Sequence, residues 1–163
     1  MSDSLLEQLK KNYEYDYWSN DQFVKALAEM VSPPEKAVRI MGHIIFAVDV
    51  WLARLKKEDL SRFTDPNPPY SVAECRQKLD ELHGKWKAYL ENLKPEELEE
   101  KFIYSNTQGK RSEQIVRNVL VHVVNHSHYH RGQLAMLVHQ GGGKRPNTDF
   151  IGYVFTSGEA KAL

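Results

Sequence analysis

The stretch VLVHVVNHSHYHRGQLAMLVHQ, residues 119–140, holds four of the chain's seven histidines between His122 and His130. An α-helix turns about 100° per residue. With Val119 as the reference direction, Leu137 lies near zero, Val123 at about +40° and Leu134 at about +60°. His126 then falls at about −20° and His130 at about +20°, in the middle of the apolar stripe and one turn apart. His122 lies on its margin at about −60°, whereas His128 and His139 lie at about 180° and 200°, facing solvent or an interface. The crowding thus resolves into two inward histidines, one marginal and two outward.

An unpaired buried imidazole nitrogen costs about 1–3 kcal/mol, so two of them on a core face need partners. HxxxH places both rings on one side of a helix, as in sites where two histidines hold one metal ion. Alone the pattern is weak: two core histidines bonded to backbone or side chains, or a wet pocket, fit it equally. A third inward histidine adds weight. In MGHIIFAVDVW, residues 41–51, His43 shares a face with Ile40 and Val50, and Gly42 beside it leaves room for another helix to approach. Where the middles of these two helices meet, His43, His126 and His130 converge. Three neutral imidazoles with an open position form a catalytic type of metal site, and imidazole suits zinc, nickel, copper and iron.

Three further helices precede this one. The first spans roughly Ser4 to Val31, with Leu5, Leu6, Leu9, Tyr13, Phe23, Leu27 and Met30 at mixed three and four spacings. The second begins at SPPE, with Ser32 as cap, Pro33 in the first helical position and Glu35 closing a capping box, and runs to about Lys57. DPNPPY, residues 65–70, is a loop because of its prolines. The third opens with a Ser71–Glu74 capping box and runs to about Leu93, with Leu79, Leu82, Trp86 and Leu90 on one face. KFIYSNTQGKRSE, residues 101–113, reads as a short hairpin or extended loop, and the last helix is expected over Ser112–Gln140, stopped by GGGKRP. The tail NTDFIGYVF is apolar enough to pack back. These elements predict an all-α, four-helix bundle forming a single domain over residues 1–163.

Lys plus Arg and Asp plus Glu both count 22, so the formal charge is zero, which argues against nucleic acid as a partner. The single cysteine, Cys75, excludes an internal disulfide and reads as a partly buried thiol rather than a nucleophile. The absence of an apolar leader or a run of ~18 apolar residues predicts a cytoplasmic chain that does not span a membrane. Helix two is apolar nearly all round, from Met41 to Leu52, so one face is expected to serve the core and the other a second copy of the chain.

Four stretches in order resemble the DinB family of damage-inducible, metal-binding four-helix bundle proteins, which are related to bacillithiol and mycothiol S-transferases. YDYWSN resembles the family's aromatic-Trp-Ala-Asn motif, with Ser19 where Ala is common. MGHII resembles the helix-two histidine motif, VNHSHYHRGQL the HxxxHRGQ signature, and LVHQGGGKRPNTDF the family's exit from the last helix. The resemblance implies that His43, His126 and His130 ligate one divalent metal, zinc or nickel being expected. It also implies an up-down-down-up bundle and a homodimer, which agrees with the second apolar face of helix two as the expected seam. Some members use the metal to activate a low-molecular-weight thiol for transfer to an electrophile, which makes a thiol S-transferase the expected enzyme. A metal-dependent hydrolase and a non-catalytic, stress-induced metal-binding protein are the alternatives. Gln133, at about −40°, shares the metal face; Asn20 reaches towards the pocket from helix one or lies at the surface; His122 is a fourth ligand or, on its marginal angle, a hydrogen-bonding neighbour. Arg131 points elsewhere and reads as structural.

Overall fold

The computed structural model describes residues 2–106 and 109–160. These form helices α1 (Ser2–Glu29), α2 (Glu35–Leu55), α3 (Val72–Asn92), α4 (Val116–Gln140) and α5 (Phe150–Thr156). A hairpin of β1 (Lys101–Ser105) and β2 (Arg111–Ile115) precedes α4, and a 3₁₀ turn, Pro95–Glu99, precedes the hairpin. The protein is therefore mostly helical, with one small antiparallel sheet. Among the described residues no helix is long and apolar enough to cross a membrane.

Two helix starts differ from those expected. The helix α2 begins at Glu35, and Pro34 stands at its N-cap without a side-chain hydrogen bond. Pro34 drives Pro33 out of the helical region, so neither Pro33 nor Ser32 can join the first turn. The Pro34 carbonyl instead accepts from the amides of Ala37 at 2.9 Å and Val38 at 3.1 Å. At α4, residues 112–115 belong to β2 rather than to the helix. They pair with β1 in the register Lys101↔Ile115 to Ser105↔Arg111, because RSEQI alternates in exposure as a strand does. The Ser71–Glu74 capping box of α3 forms as expected: Glu74 Oε2 accepts from the Ser71 amide at 2.7 Å, and Ser71 Oγ from the Glu74 amide at 3.2 Å.

The four long helices enclose one core built around Phe23, Leu27, Met41, Ile44, Trp86 and Leu134. Trp86 is 1 % exposed and its indole N–H donates to the Val48 carbonyl at 3.1 Å, satisfying its one polar atom. Tyr13 stacks on Trp86 and Tyr17 on His83, so α1 and α3 run in opposite directions. The tail packs back as expected, but as a helix: Phe150 and Tyr153 of α5 pack on Tyr15 of α1, whose hydroxyl donates to the Thr148 carbonyl at 2.7 Å.

No residue of α2 from Ile40 to Leu55 is exposed. Its second apolar face is covered within the chain. Phe63 of the α2–α3 connection packs edge-on against Phe46, and Tyr104 of β1 against Trp51. No second copy is therefore needed to cover this face. Gly42 has a different partner from the one expected. A Cβ there would lie 2.9 Å from the Pro68 carbonyl oxygen, so the missing side chain admits the proline-rich loop, not a helix. Cys75 is fully buried, and burial pushes its thiol up to about 11, which removes it from nucleophilic chemistry at neutral pH.

Candidate metal centre

The helices α2 and α4 pack along much of their length with opposite direction. His43 meets His126 and His130, while Trp51, two turns later in α2, meets His122, two turns earlier than His130 in α4. One ring nitrogen from each of His43, His126 and His130 lies within 4.8 Å of the other two. Among the described residues these three form the cluster that can hold a metal ion. Tetrahedral bonds of about 2.1 Å space ligand nitrogens roughly 3.4 Å apart. The set is thus close enough for the rings to turn onto an ion.

Hydrogen bonds fix two of the rings. His43 Nδ1–H donates to the Pro66 carbonyl at 2.7 Å, which leaves Nε2 as a free lone pair. His130 Nδ1–H donates to Gln133 Oε1 at 3.0 Å with the same result. Such outer partners orient a ligand ring and select its tautomer. His126 Nδ1 is buried and has no hydrogen-bond partner among the described residues. An orphaned imidazole nitrogen beside two rings already presenting lone pairs is a donor set short of an acceptor, and a cation supplies one. Burial is also the main reason His126 titrates low, at about 4, helped by the neighbouring His130, His43 and His122. Burial likewise lowers His43. Both rings are therefore neutral at pH 7, the form that ligates.

The preorganised loop carries the Pro66 carbonyl. Asp65 Oδ1 accepts from the Asn67 amide at 2.8 Å, and Arg39 reaches the Asn67 carbonyl at 3.4 Å. Gly42 allows the next residues to lie on α2. In the sequence DPNPPY marks only a break between helices, and the closest signal for this contact is the glycine adjoining His43.

Other residues fall in different places. Gln133 does contact the centre, through His130. His122 stands outside the three-nitrogen cluster, with its ring 5.6 Å from His126 and 5.2 Å from Trp51. Asn20 does not reach the histidines and is not a surface residue either. It is 1 % exposed, donates to Asp16 Oδ2 at 3.1 Å and accepts from Arg131 Nη1 at 2.9 Å. Arg131 also pairs with Asp16, and this buried ion pair ties α4 to α1. The reason lies in the rotation of α4. Its buried set (Val116, Val119, Leu120, Val123, Ser127, Arg131, Leu134 and Val138) centres near +70° from Val119, not zero. The histidines therefore line the edge of the core, half-buried, while Arg131 lies inside it. Asp16, at i, i−4 from Asn20 on an aromatic face, is the signal in the sequence for this buried pair. His128 and His139 are exposed, as expected. His83 is structural: it stacks 3.7 Å from Tyr17 and lies 2.9 Å from Glu14.

The sequence model of the DinB superfamily matches residues 25–134, a span that includes all three histidines. The chain belongs to the DinB superfamily. It is 24 % identical over 170 residues to the protein DinB of Bacillus subtilis (strain 168), covering 93 % of this chain and 96 % of that one. In fold it is similar to a DinB-like protein from Bacillus cereus ATCC 10987, with a TM-score of 0.63 and 20 % identity over 86 % of this chain and 95 % of that one. For a DinB protein, Ser19 is in an unfavourable place: its Oγ is buried and unpartnered among the described residues, where an alanine would leave nothing unsatisfied.

Proposed function

We propose that His43, His126 and His130 ligate one divalent transition-metal ion, zinc or nickel, and that the centre serves a transferase acting on a low-molecular-weight thiol. The observation that carries this reading is the three-imidazole cluster, two rings of which are held with Nε2 free and the third with an orphaned Nδ1. A divalent ion held there supplies Lewis-acid chemistry, lowering the pKa of a thiol or water that shares its open position. The chain's own contribution is orientation and charge. Pro66 and Gln133 hold the tautomers of His43 and His130. Burial keeps His126 uncharged, so the ligands do not neutralise the ion, and an anionic partner such as a thiolate is favoured over a neutral one. The three histidines are half-buried, so the centre is not sealed from solvent.

The four long helices are read as an up-down-down-up bundle. Antiparallel α1 and α3, antiparallel α2 and α4, and the pairing of Val48 with Trp86 support it. So does the long connection of residues 56–71, ample at about 3.3 Å per residue to return along the ~31 Å of α2. A homodimer is what the family resemblance implies, and two exposed apolar residues of α4, Tyr129 at 66 % and Met136 at 64 % exposure, would suit its seam. Such a dimer meets through α4 rather than α2. Light scattering tests it: a mass of twice 18.9 kDa agrees, and a single-chain mass at micromolar concentration contradicts it.

Cobalt substitution tests the thiol reading. Titrating small thiols into the cobalt-loaded protein is expected to give a saturable near-ultraviolet cobalt–thiolate band, which His43→Ala weakens. If no thiol perturbs the spectrum and the protein cleaves an ester or amide with metal dependence, the hydrolase alternative replaces the transferase. If neither occurs, the non-catalytic, stress-induced metal-binding reading takes its place.

A further inference from the structure

Beside the histidines, between α2, α4 and the hairpin, lies a cavity of about 320 Å³ lined by Trp51, Tyr104, Gln114, Asn118, Val119 and His122. This is the lower end of the range for small-molecule sites, roughly 300–1,000 Å³. It starts one helical turn from the metal centre, since the His122 ring is 5.6 Å from that of His126. Two of its walls are aromatic, Trp51 and Tyr104, with ring centroids 4.9 Å apart in an edge-to-face arrangement.

Charge and hydrogen-bonding capacity at the edge of this cavity are not used up within the chain; Arg54 does not line the cavity but packs on two residues that do. The Arg54 guanidinium lies over both aromatic walls, 4.5 Å from the Trp51 ring and 5.0 Å from that of Tyr104. It donates from Nη2 to the Ser105 carbonyl at 3.2 Å, while its Nε is buried without a partner. Among the described residues no carboxylate pairs with it; Arg111 and Arg145 also lack one but are exposed, whereas the half-buried Arg76 and the buried Arg131 are paired. A half-buried cation without a counter-ion is an unusual arrangement, because burying a charge is tolerated chiefly when it is paired. Asn118 Nδ2 donates to Gln114 Oε1 at 3.3 Å, which leaves the Gln114 amide donors and the Asn118 carbonyl oxygen available.

We propose that this cavity is a subsite for a planar, carboxylate-bearing group of a small-molecule substrate, with the plane against Trp51 and Tyr104, polar edges on Gln114 and Asn118, and the carboxylate at the cavity's edge on Arg54, which packs on those two rings. The proposal rests on the metal-centred reading above for the placement of the reacting atom, but not for binding itself. Guanidinium suits a carboxylate because its planar fork of donors matches the two oxygens. The position of the subsite, one turn from His126, orients the reacting end of such a molecule towards the centre.

The test uses benzoate as the probe and benzamide as its neutral counterpart, titrated into the ¹⁵N-labelled protein. Benzoate is expected to shift the side-chain amide signals of Gln114 and Asn118 saturably, and to bind at least tenfold more tightly than benzamide. Arg54→Gln is expected to remove that preference, weakening benzoate about tenfold and leaving benzamide unchanged. Asn118→Phe, at an exposed position where folding is not at risk, is expected to fill the cavity and weaken both probes. Unmoved Gln114 and Asn118 signals, equal binding of the two probes by the wild type, or an unchanged benzoate affinity in either variant would overturn the subsite. Metal uptake by the wild type, measured in parallel, reports on the histidine centre separately, so loss of one reading is distinguishable from loss of the other.

Discussion

His126 is held neutral by burial and by its histidine neighbours, and titrates at about 4 in the folded chain. The ordinary value of about 6.5 applies when the chain unfolds. Between these values the unfolded chain binds the proton and the folded chain does not, so stability falls as pH drops from about 6.5 to about 4. Thermal melts of chelator-treated protein across that window are expected to show a shallower fall in His126→Asn than in the wild type; identical slopes would refute the assignment. Gln133 gives a second expectation at this scale. It is exposed, so Gln133→Ala leaves the fold intact, but releases His130 Nδ1–H. Metal affinity is expected to drop about 10–100-fold, the usual effect of losing an outer partner, in competition with a chromogenic chelator. Ser19→Ala removes a buried hydroxyl without a partner and is expected to raise stability by about 1 kcal/mol in a denaturant melt.

At the scale of elements, the centre depends on a loop held against a helix at one glycine. Gly42→Ala puts a methyl group 2.9 Å from the Pro68 carbonyl, so the loop must retreat and take the Pro66 carbonyl from His43. Overpacking of this kind costs about 1–3 kcal/mol, and weaker metal binding is expected with it, measured by the same competition. Retained affinity would separate the loop from the centre. Elements with a strong local signal were legible in the sequence. The Ser71–Glu74 box, the hairpin around Gly109 and the GGGKRP stop all act through neighbours in the chain. The α4 start was not, because strand pairing over residues 112–115 depends on β1, and the α2 start was displaced by a proline pair whose effects compete. The three histidines were legible because helical spacing is a local property. Their place at the core's edge was not, since the rotation of α4 depends on contacts with other helices, among them Arg131 with Asp16. The Pro66 contact and the Arg54 cavity depend on chain segments that meet only after folding.

At the scale of the whole molecule, the core and the buried Asp16–Arg131 pair fix α4 against α1, and α4 in turn faces α2 with its histidines. Breaking a buried pair by removing one partner costs about 3–5 kcal/mol, and the fold that this pair helps hold brings the three ring nitrogens within 4.8 Å of one another. Metal content measures this directly. Elemental analysis of purified protein, dialysed against excess zinc or nickel and then against buffer, is expected to find close to one ion per chain. The His126→Ala, His130→Ala double variant is expected to retain essentially none, and His128→Ala to match the wild type. Equal metal in the wild type and the double variant would contradict the assignment of these histidines as its ligands.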